Sequence, residues 1–499
     1  MPPHVASLVF FVGVLGLFLL DRDREGRSSW ALWLPVFWLG VGASRSVSVW
    51  LGASGPVAAD EYLDGSPFDR ALLTGVLIAA LSVVIYRGQR TVEILKKNAP
   101  LVVFFLYCAA SVFWSDFPIV AFKRWTKVLG NVVMVLVVLT EADPGYALRR
   151  FLSWTAYLLI PASVLMIKYY PELGRSYDRW EGTAYYSGVT TDKNVMGCTC
   201  LVLGLGIVAR FVEALREASP DRKMRLLCMG TVLGMNMWLF HMINSATSLG
   251  CFIVGSTLVV VLGLSRRPRP WMAHAMIAGL IVVGTISYVF PTAFAFIVES
   301  AGRKTNLTGR TDLWADLLGL RVNPWLGAGF ESFFLGPRLE YLWGKYWWHP
   351  NEAHNGFLET YLTLGILGLS LLGILIFTGY RNCMQLYRRN PRAGGLHLAF
   401  LVIAPIYNLT EAAFKIMNPV WILFLLAVTA LPAWKFEKDE VREPLPADVP
   451  RRFGSEAAAA RTGKFVWGPR TLTSPVGAPS TGLGRPNRAG SAFRLNTGK

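Results

Sequence analysis

The chain has 499 residues, of which 53% are hydrophobic and 16% charged, against about 25% charged in ordinary globular domains. Its net charge of +17 would suit a nucleic-acid partner, but the basic residues lie in short segments between apolar blocks and in residues 435–499. That is the positive-inside pattern of a membrane protein, so a large soluble core and a nucleic-acid function are both excluded.

Apolar blocks of membrane-crossing length fall at 5–20, 30–52, 69–86, 98–115, 118–139, 151–170, 193–213, 226–242, 248–265, 271–297, 356–379, 395–411 and 417–434. They predict an all-α polytopic membrane protein of about 12–13 transmembrane helices, occupying residues 1–434. The first block is followed, not preceded, by Arg22, Arg24 and Arg27, and so reads as an anchor with its N-terminus outside rather than as a cleaved signal peptide. The loops carrying Arg87, Arg90, Lys96 and Lys97, then Arg149 and Arg150, then the basic residues of 210–225, 266–269 and 381–392, fall on one side. Loop 53–68 has no Lys or Arg and holds Asp60, Glu61 and Asp64, which puts it on the other. By the same count the loops 171–192 and 298–355 face outward, the second being one large periplasmic loop. Residues 435–499 are rich in Pro, Gly, Ala, Ser and Arg and are expected to form a disordered basic cytoplasmic tail. Five of the six cysteines lie inside apolar blocks and Cys383 in a basic loop; none has zinc spacing, and all read as small buried side chains.

Chemistry concentrates in the outward segments. Thr308-Gly309-Arg310-Thr311-Asp312-Leu313-Trp314 opens a stretch with an apolar stripe that stops at Asn323-Pro324. It reads as an amphipathic helix on the outer membrane surface. Arg310 in its first turn would meet an anion with a guanidinium and the helix N-terminus together; a plain solvated arginine is the alternative. The loop ends in Trp347-Trp348-His349-Pro350-Asn351-Glu352-Ala353-His354-Asn355-Gly356. His354 stands at the membrane–water boundary as a proton-transfer candidate, or as a helix-capping structural residue; His349, beside Pro350, reads as a turn residue. Arg45 and Arg124 lie at membrane depth near the outer ends of their spans, where charge is expensive, unless they snorkel to headgroups. Arg179 and Lys193 flank the outer end of the seventh block. This basic cluster suits a lipid pyrophosphate rather than a metal, since the sequence offers no Asp/Glu constellation beside it. The crowded Trp325, Tyr341, Trp343, Tyr346, Trp347 and Trp348 exceed what an interfacial belt needs and suit sugar rings.

These motifs, in this order, resemble a known family. Gly309-Arg310, Trp314, Asn323-Pro324-Trp325-Leu326-Gly327-Ala328-Gly329-Phe330, His354-Asn355-Gly356 and Gly365-Ile366-Leu367-Gly368, with Arg179-Trp180-Glu181-Gly182 and Asp192-Lys193-Asn194 upstream, resemble the bacterial O-antigen ligase and polysaccharide polymerase superfamily over roughly residues 100–430. The resemblance implies a membrane fold related to the GT-C glycosyltransferases, in the bacterial inner membrane. It implies metal-independent transfer at the periplasmic face from an undecaprenyl-pyrophosphate-linked glycan donor, without a cofactor. The acceptor is another lipid-linked glycan in polymerases and lipid A–core in ligases, with a chain-length regulator as an optional partner. By motif, Arg179 and Arg310 hold the pyrophosphate and His354 orients or deprotonates the acceptor hydroxyl. Arg124, Lys193, Asn194, Asn355, Trp314 and Glu359 are expected to contribute to substrate binding, and Glu359 or Glu411 to orient a base or pair an arginine. The Lys193-Asn194 form resembles the exopolysaccharide polymerase branch. A lipid-linked glycan transporter is the alternative of another class, and would need charge along a path to both sides.

Overall fold

The structure, a computed structural model, describes residues 1–21, 28–52, 66–177, 184–216, 220–265, 267, 269–289 and 308–432. The described helices belong to one compact unit within Met1–Val441; the second unit, Arg442–Lys499, and with it the expected tail, lies outside the described residues. So do Arg179 and Lys/Arg-free loop residues 53–65.

The described residues are helical almost throughout. In order it forms α1 (Pro3–Leu20), α2 (Trp33–Gly42), α3 (Pro67–Tyr86), α4 (Gly88–Lys97), α5 (Ala99–Ala110), α6 (Pro118–Leu139) and α7 (Pro144–Tyr169). A two-stranded antiparallel hairpin follows, β1 (Arg175–Tyr177) with β2 (Ala184–Tyr186), paired Arg175 to Tyr186. Then come α8 (Lys193–Arg216), α9 (Arg222–Ile243), α10 (Ala246–Leu264), α11 (Pro270–Val289), α12 (Thr308–Gly319), α13 (Pro337–Lys345), α14 (Gly356–Arg389), α15 (Pro391–Tyr407) and α16 (Pro419–Val428). Helix starts are written locally. Proline, whose ring presets the helical φ and whose missing N–H costs nothing in a first turn, opens α3, α6, α7, α15 and α16. Asp143, Asn355, Asn390 and Asn418 cap their helices through side-chain oxygens.

Every residue of α16 is buried, as expected of a helix at the centre of a bundle, and α6, α8, α14 and α15 pack around it. At the rim, α1 leaves Leu8, Val9, Phe11, Val12, Leu15 and Leu19 exposed. An apolar face of that size is a lipid-facing one. Among the described residues seven helices are long and apolar enough to cross a membrane, eight if the pair Gly88–Lys97 and Ala99–Trp114, bent by 90°, counts as one broken span. That is fewer than the dozen or so expected. The difference has physical causes: α6 carries Lys123, Arg124 and Lys127 in its first three turns, and α2, α15 and α16 are short.

Contacts sort the connections into two ends. At one, Asp21 meets Arg150 and Arg210, Glu141 meets Ser29 and Arg87, Asn98 meets Ala430, and Arg216 meets Ser265. This is the basic end. At the other, Arg45 meets Leu173 and Thr190, Ser115 meets Ser332, Thr247 meets Thr410, and Arg310 meets Thr410 and Glu411. Arg45 therefore is not inside a span: it follows α2 and ties the carbonyls of Leu173 and Thr190 together, its Nε 3.0 Å from the latter.

The loop-rich end has its own small core of Leu313, Leu317, Phe333, Phe334, Leu339, Leu342 and Leu362. Helix α12 forms as expected, but Leu313 and Leu317 bury into this core instead of lying on a membrane surface. Trp343, Tyr346 and Trp348 pack against it too, leaving Trp325, Tyr341 and Trp347 exposed. The Asn323–Gly329 segment wedges into a break in α14. Gly365 has φ +66 inside the helix, and Ile366 and Leu367 donate to the carbonyls of Pro324 and Trp325 at 2.9 and 3.2 Å. A Cβ on Gly365 would stand 2.2 Å from the Trp325 oxygen, and one on Gly327 (φ +71) 2.4 Å from the Thr363 backbone. The glycines of both motifs thus serve close backbone approach.

Candidate active site

The site is assembled by two short turns at the loop-rich end. The first is Glu352-Ala353-His354-Asn355. Ala353 is clamped from both sides: Trp314 Nε1 donates to its carbonyl at 2.8 Å, and its N–H donates to Glu359 Oε2 at 2.9 Å. Asn355 Oδ1 accepts from Phe357 and Leu358 N–H at 3.0 and 3.1 Å, starting α14. Between clamp and cap, His354 sits at φ +47, a conformation rarely taken by non-glycine residues and held only where surroundings over-determine it. Its ring lies 5.8 Å from that of Trp348.

The second turn, 408–418, is organised by fully buried Asn408. Its Oδ1 accepts from Ala413 and Phe414 N–H at 2.8 and 3.0 Å, and its backbone carbonyl accepts from Gly356 N–H at 2.8 Å. A Cβ on Gly356 would fall 1.8 Å from Asn408 Oδ1, so glycine is what lets the two turns touch. The second turn carries Glu411 and Lys415.

Where they meet, charges alternate. Arg310, on α12, places Nη2 3.2 Å from Glu411 Oε1 and donates from Nη1 to the Thr410 carbonyl. The other Glu411 oxygen, Oε2, lies 3.5 Å from His354 Nδ1, which is also 2.9 Å from Glu352 Oε1. Glu352 Oε2 pairs with Lys415 Nζ. All five side chains are between about a tenth and a third exposed, with Arg310 at 26% and His354 at 21%, so the row is open at its surface. The hydrogen bonds to His354 among the described residues use Nδ1, which leaves Nε2 as the presenting nitrogen.

Burial works against charge on His354, but the adjoining Glu352 and Glu411 carboxylates outweigh it and raise its pKa to about 9. The ring is therefore an imidazolium at neutral pH. Burial likewise opposes ionisation of Glu352, but Lys415 and His354 hold its carboxyl down at about 2. Burial opposes charge on Lys415 as well, yet Glu352 keeps it well above the usual lysine range.

Sequence-derived candidates divide in three. Arg310 and His354 meet at Glu411. Trp314, Glu359 and Asn355, expected to bind substrate, instead fix the backbone that aims His354. Arg124 donates to the carbonyl of Glu331, one step outside the row; burial pushes the Glu331 carboxyl up, against Arg124 and Lys415. Lys193 and Asn194 lie in the first turn of α8 at the same end, where Asp192 Oδ1 accepts from Asn194 N–H at 2.7 Å, but do not join the row. His349 stacks on Trp343 at 5.1 Å as a turn residue. The expectation that no carboxylate set accompanies the basic groups is corrected: ligand atoms of Glu352, His354 and Glu411 lie within 4.8 Å of one another and could hold a metal ion. Both carboxylates are already neutralised by Arg310 and Lys415, two cations a metal would have to displace or repel. Glu352 and Lys415 had not been singled out. Lys415 could have been, as a charge in the gap between apolar blocks, whereas Glu411, expected to orient a base or pair an arginine, pairs Arg310.

Residues 231–373 match the family model described as O-antigen ligase (Wzy_C), a stretch that contains Arg310, Trp314 and His354. The exopolysaccharide production protein ExoQ of Rhizobium meliloti (strain 1021) is 24% identical over 343 residues, covering 66% of this chain and 75% of that protein.

Proposed function

We propose that the chain is a member of the O-antigen ligase and polysaccharide polymerase superfamily, a reading supported by the family-model match and the exopolysaccharide-production relative, and that it joins lipid-linked glycan repeats by transfer from an undecaprenyl-pyrophosphate donor. The end bearing the charged row faces the periplasm and the basic end the cytoplasm, as the positive-inside bias requires. One observation carries the reading: a single carboxylate, Glu411, receives Arg310 on one oxygen and His354 on the other. Arg310 and His354 are thereby held as two pre-aimed cations 3–4 Å from a common point, where a diphosphate can exchange for the carboxylate.

In the reaction an acceptor hydroxyl oxygen bonds to the donor's anomeric carbon, and the bond from that carbon to the pyrophosphate oxygen breaks. Undecaprenyl pyrophosphate leaves with the electron pair. Arg310 grips the diphosphate bidentately and His354 donates from Nε2, so both stabilise charge as it develops on the leaving group. The hydroxyl proton passes to Glu411, uncovered as Arg310 turns to the phosphate. His354 thus acts as a charged donor. As a base it would first have to lose a proton that two carboxylates hold in place. Arg179, by motif, joins Arg310 on the pyrophosphate. Cations already at hand perform the task that a metal would otherwise take.

Polymerisation is favoured over ligation by the name of the Rhizobium relative, which is for exopolysaccharide production, and by Lys193-Asn194. Ligation to lipid A–core is the second reading, from the family's description. Transport is disfavoured: between the two charged ends α16 is apolar along its whole length. The test is purified protein in vesicles with a defined lipid-pyrophosphate oligosaccharide. A ladder of longer lipid-linked products supports polymerisation, and product only on adding lipid A–core supports ligation. No transfer with either acceptor contradicts both.

A further inference from the structure

At the end opposite the charged row, three helices open a cleft of about 400 Å³. Each contributes one face, at the three- and four-residue spacing of neighbouring helical side chains: Leu148, Arg149 and Leu152 from α7; Gly206, Ala209, Arg210, Glu213 and Arg216 from α8; Arg392, Ala393, Leu396 and His397 from α15. With Arg389 at the end of α14, five arginines line it against one carboxylate, Glu213. Arg149 pairs with that carboxylate at 3.3 Å, and Arg210 with Asp21 behind the wall. The first turn of α15, capped by Asn390, also opens here and adds its positive dipole end.

On α8 the lining runs from Arg216 and Glu213 to Arg210, Ala209 and Gly206, and on α15 from Arg392 and Ala393 to Leu396 and His397, while on α7 Arg149 lies between Leu148 and Leu152. Gly206 packs closely on Leu152, where a Cβ would stand 2.9 Å away. A cleft with five guanidinium groups against one carboxylate, at the basic end of a membrane bundle, fits a phosphate head.

We propose that this cleft binds a phosphate-bearing anion, and specifically the headgroup of an acidic phospholipid of the leaflet on the basic side. Basic pockets between transmembrane helices on the cytoplasmic side are suited to such headgroups. The site is separate from the glycan-transfer row and does not rest on the chemistry assigned there.

Arg389 and Arg392 are exposed, so R389Q/R392Q removes charge from the mouth and leaves the buried Asp21 pairs intact. The purified full-length protein is reconstituted in nanodiscs of phosphatidylcholine with graded phosphatidylglycerol or cardiolipin, and its unfolding temperature and lipid retention by native mass spectrometry are followed. Inorganic pyrophosphate in phosphatidylcholine discs forms the soluble arm. Each reading is the difference between wild type and variant, because the glycan-transfer row also takes phosphate. The expected result is preferential retention of acidic lipid by the wild type, weakened about tenfold or more in the variant, with equal unfolding temperatures in phosphatidylcholine alone. A saturable pyrophosphate response lost in the variant, with no acidic-lipid preference, overturns the lipid as occupant and keeps the phosphate. Equal behaviour of wild type and variant in both arms overturns the site.

Discussion

The two ends of the bundle each bring arginines onto carboxylates, to different effect. At the basic end Asp21 is shut away, its side chain wholly buried, and Arg150 and Arg210 reach it at 7% and 8% exposure. Tyr157 donates to it at 2.9 Å and Arg150 to its backbone carbonyl at 2.7 Å. Every partner of Asp21 is spoken for. At the loop-rich end Arg310, His354 and Lys415 share Glu411 and Glu352 at the surface, with donors to spare and a histidine in a strained backbone conformation. An ion pair by itself therefore indicates nothing about function. Openness, unspent donors and an over-determined backbone do.

Substitutions sharpen the contrast. Asp21→Ala leaves two buried guanidinium groups uncompensated and is expected to cost about 3–5 kcal/mol of stability, read as a large drop in unfolding temperature or loss of folded protein. Arg310→Ala should leave unfolding nearly unchanged and lower glycan transfer about 10²–10³-fold, with Arg310→Lys recovering only part because charge returns without the bidentate grip. If Arg310→Ala unfolds the protein as Asp21→Ala does, the contrast between the ends fails. Gly365→Ala forces a side chain into φ +66 against the Trp325 carbonyl. It should cost about 1–3 kcal/mol and shift the wedge beside the site, seen as a lowered unfolding temperature together with lowered transfer. Asn355→Ala removes the cap of α14 for about 1 kcal/mol, whereas Asn355→Asp should restore stability; a full loss of transfer in both would mean that Asn355 touches substrate after all.

The all-α, multi-span fold class was legible because it rests on local signals: apolar length, and prolines and caps at helix starts. Arg310 and His354 were legible as rare charges bordering a long, aromatic-rich loop. Their meeting was not: Glu411 was expected to pair an arginine or orient a base, but Glu352 and Lys415, 63 residues apart, come from two turns brought together by Asn408 and by the missing Cβ of Gly356, and no spacing rule connects such positions. Arg45 misled because its run of apolar neighbours continues past the true end of α2 at Gly42. Trp314 and Glu359 lie within the motif for a reason that only tertiary structure displays: both hold Ala353, one residue before the histidine.

The central claim is that His354 works as a cation held between Glu352 and Glu411. Its folded pKa is raised, so the charged form persists below about 9 and is lost as pH rises through that value. The direct measurement is kcat/KM for glycan transfer by the reconstituted protein from pH 6.5 to 10, alongside His354→Gln. The account predicts a flat profile that falls near pH 9 in the wild type, and a lower, featureless one in the variant. A wild-type rate that climbs through the same range would contradict it, making His354 the base and Glu411 only its holder.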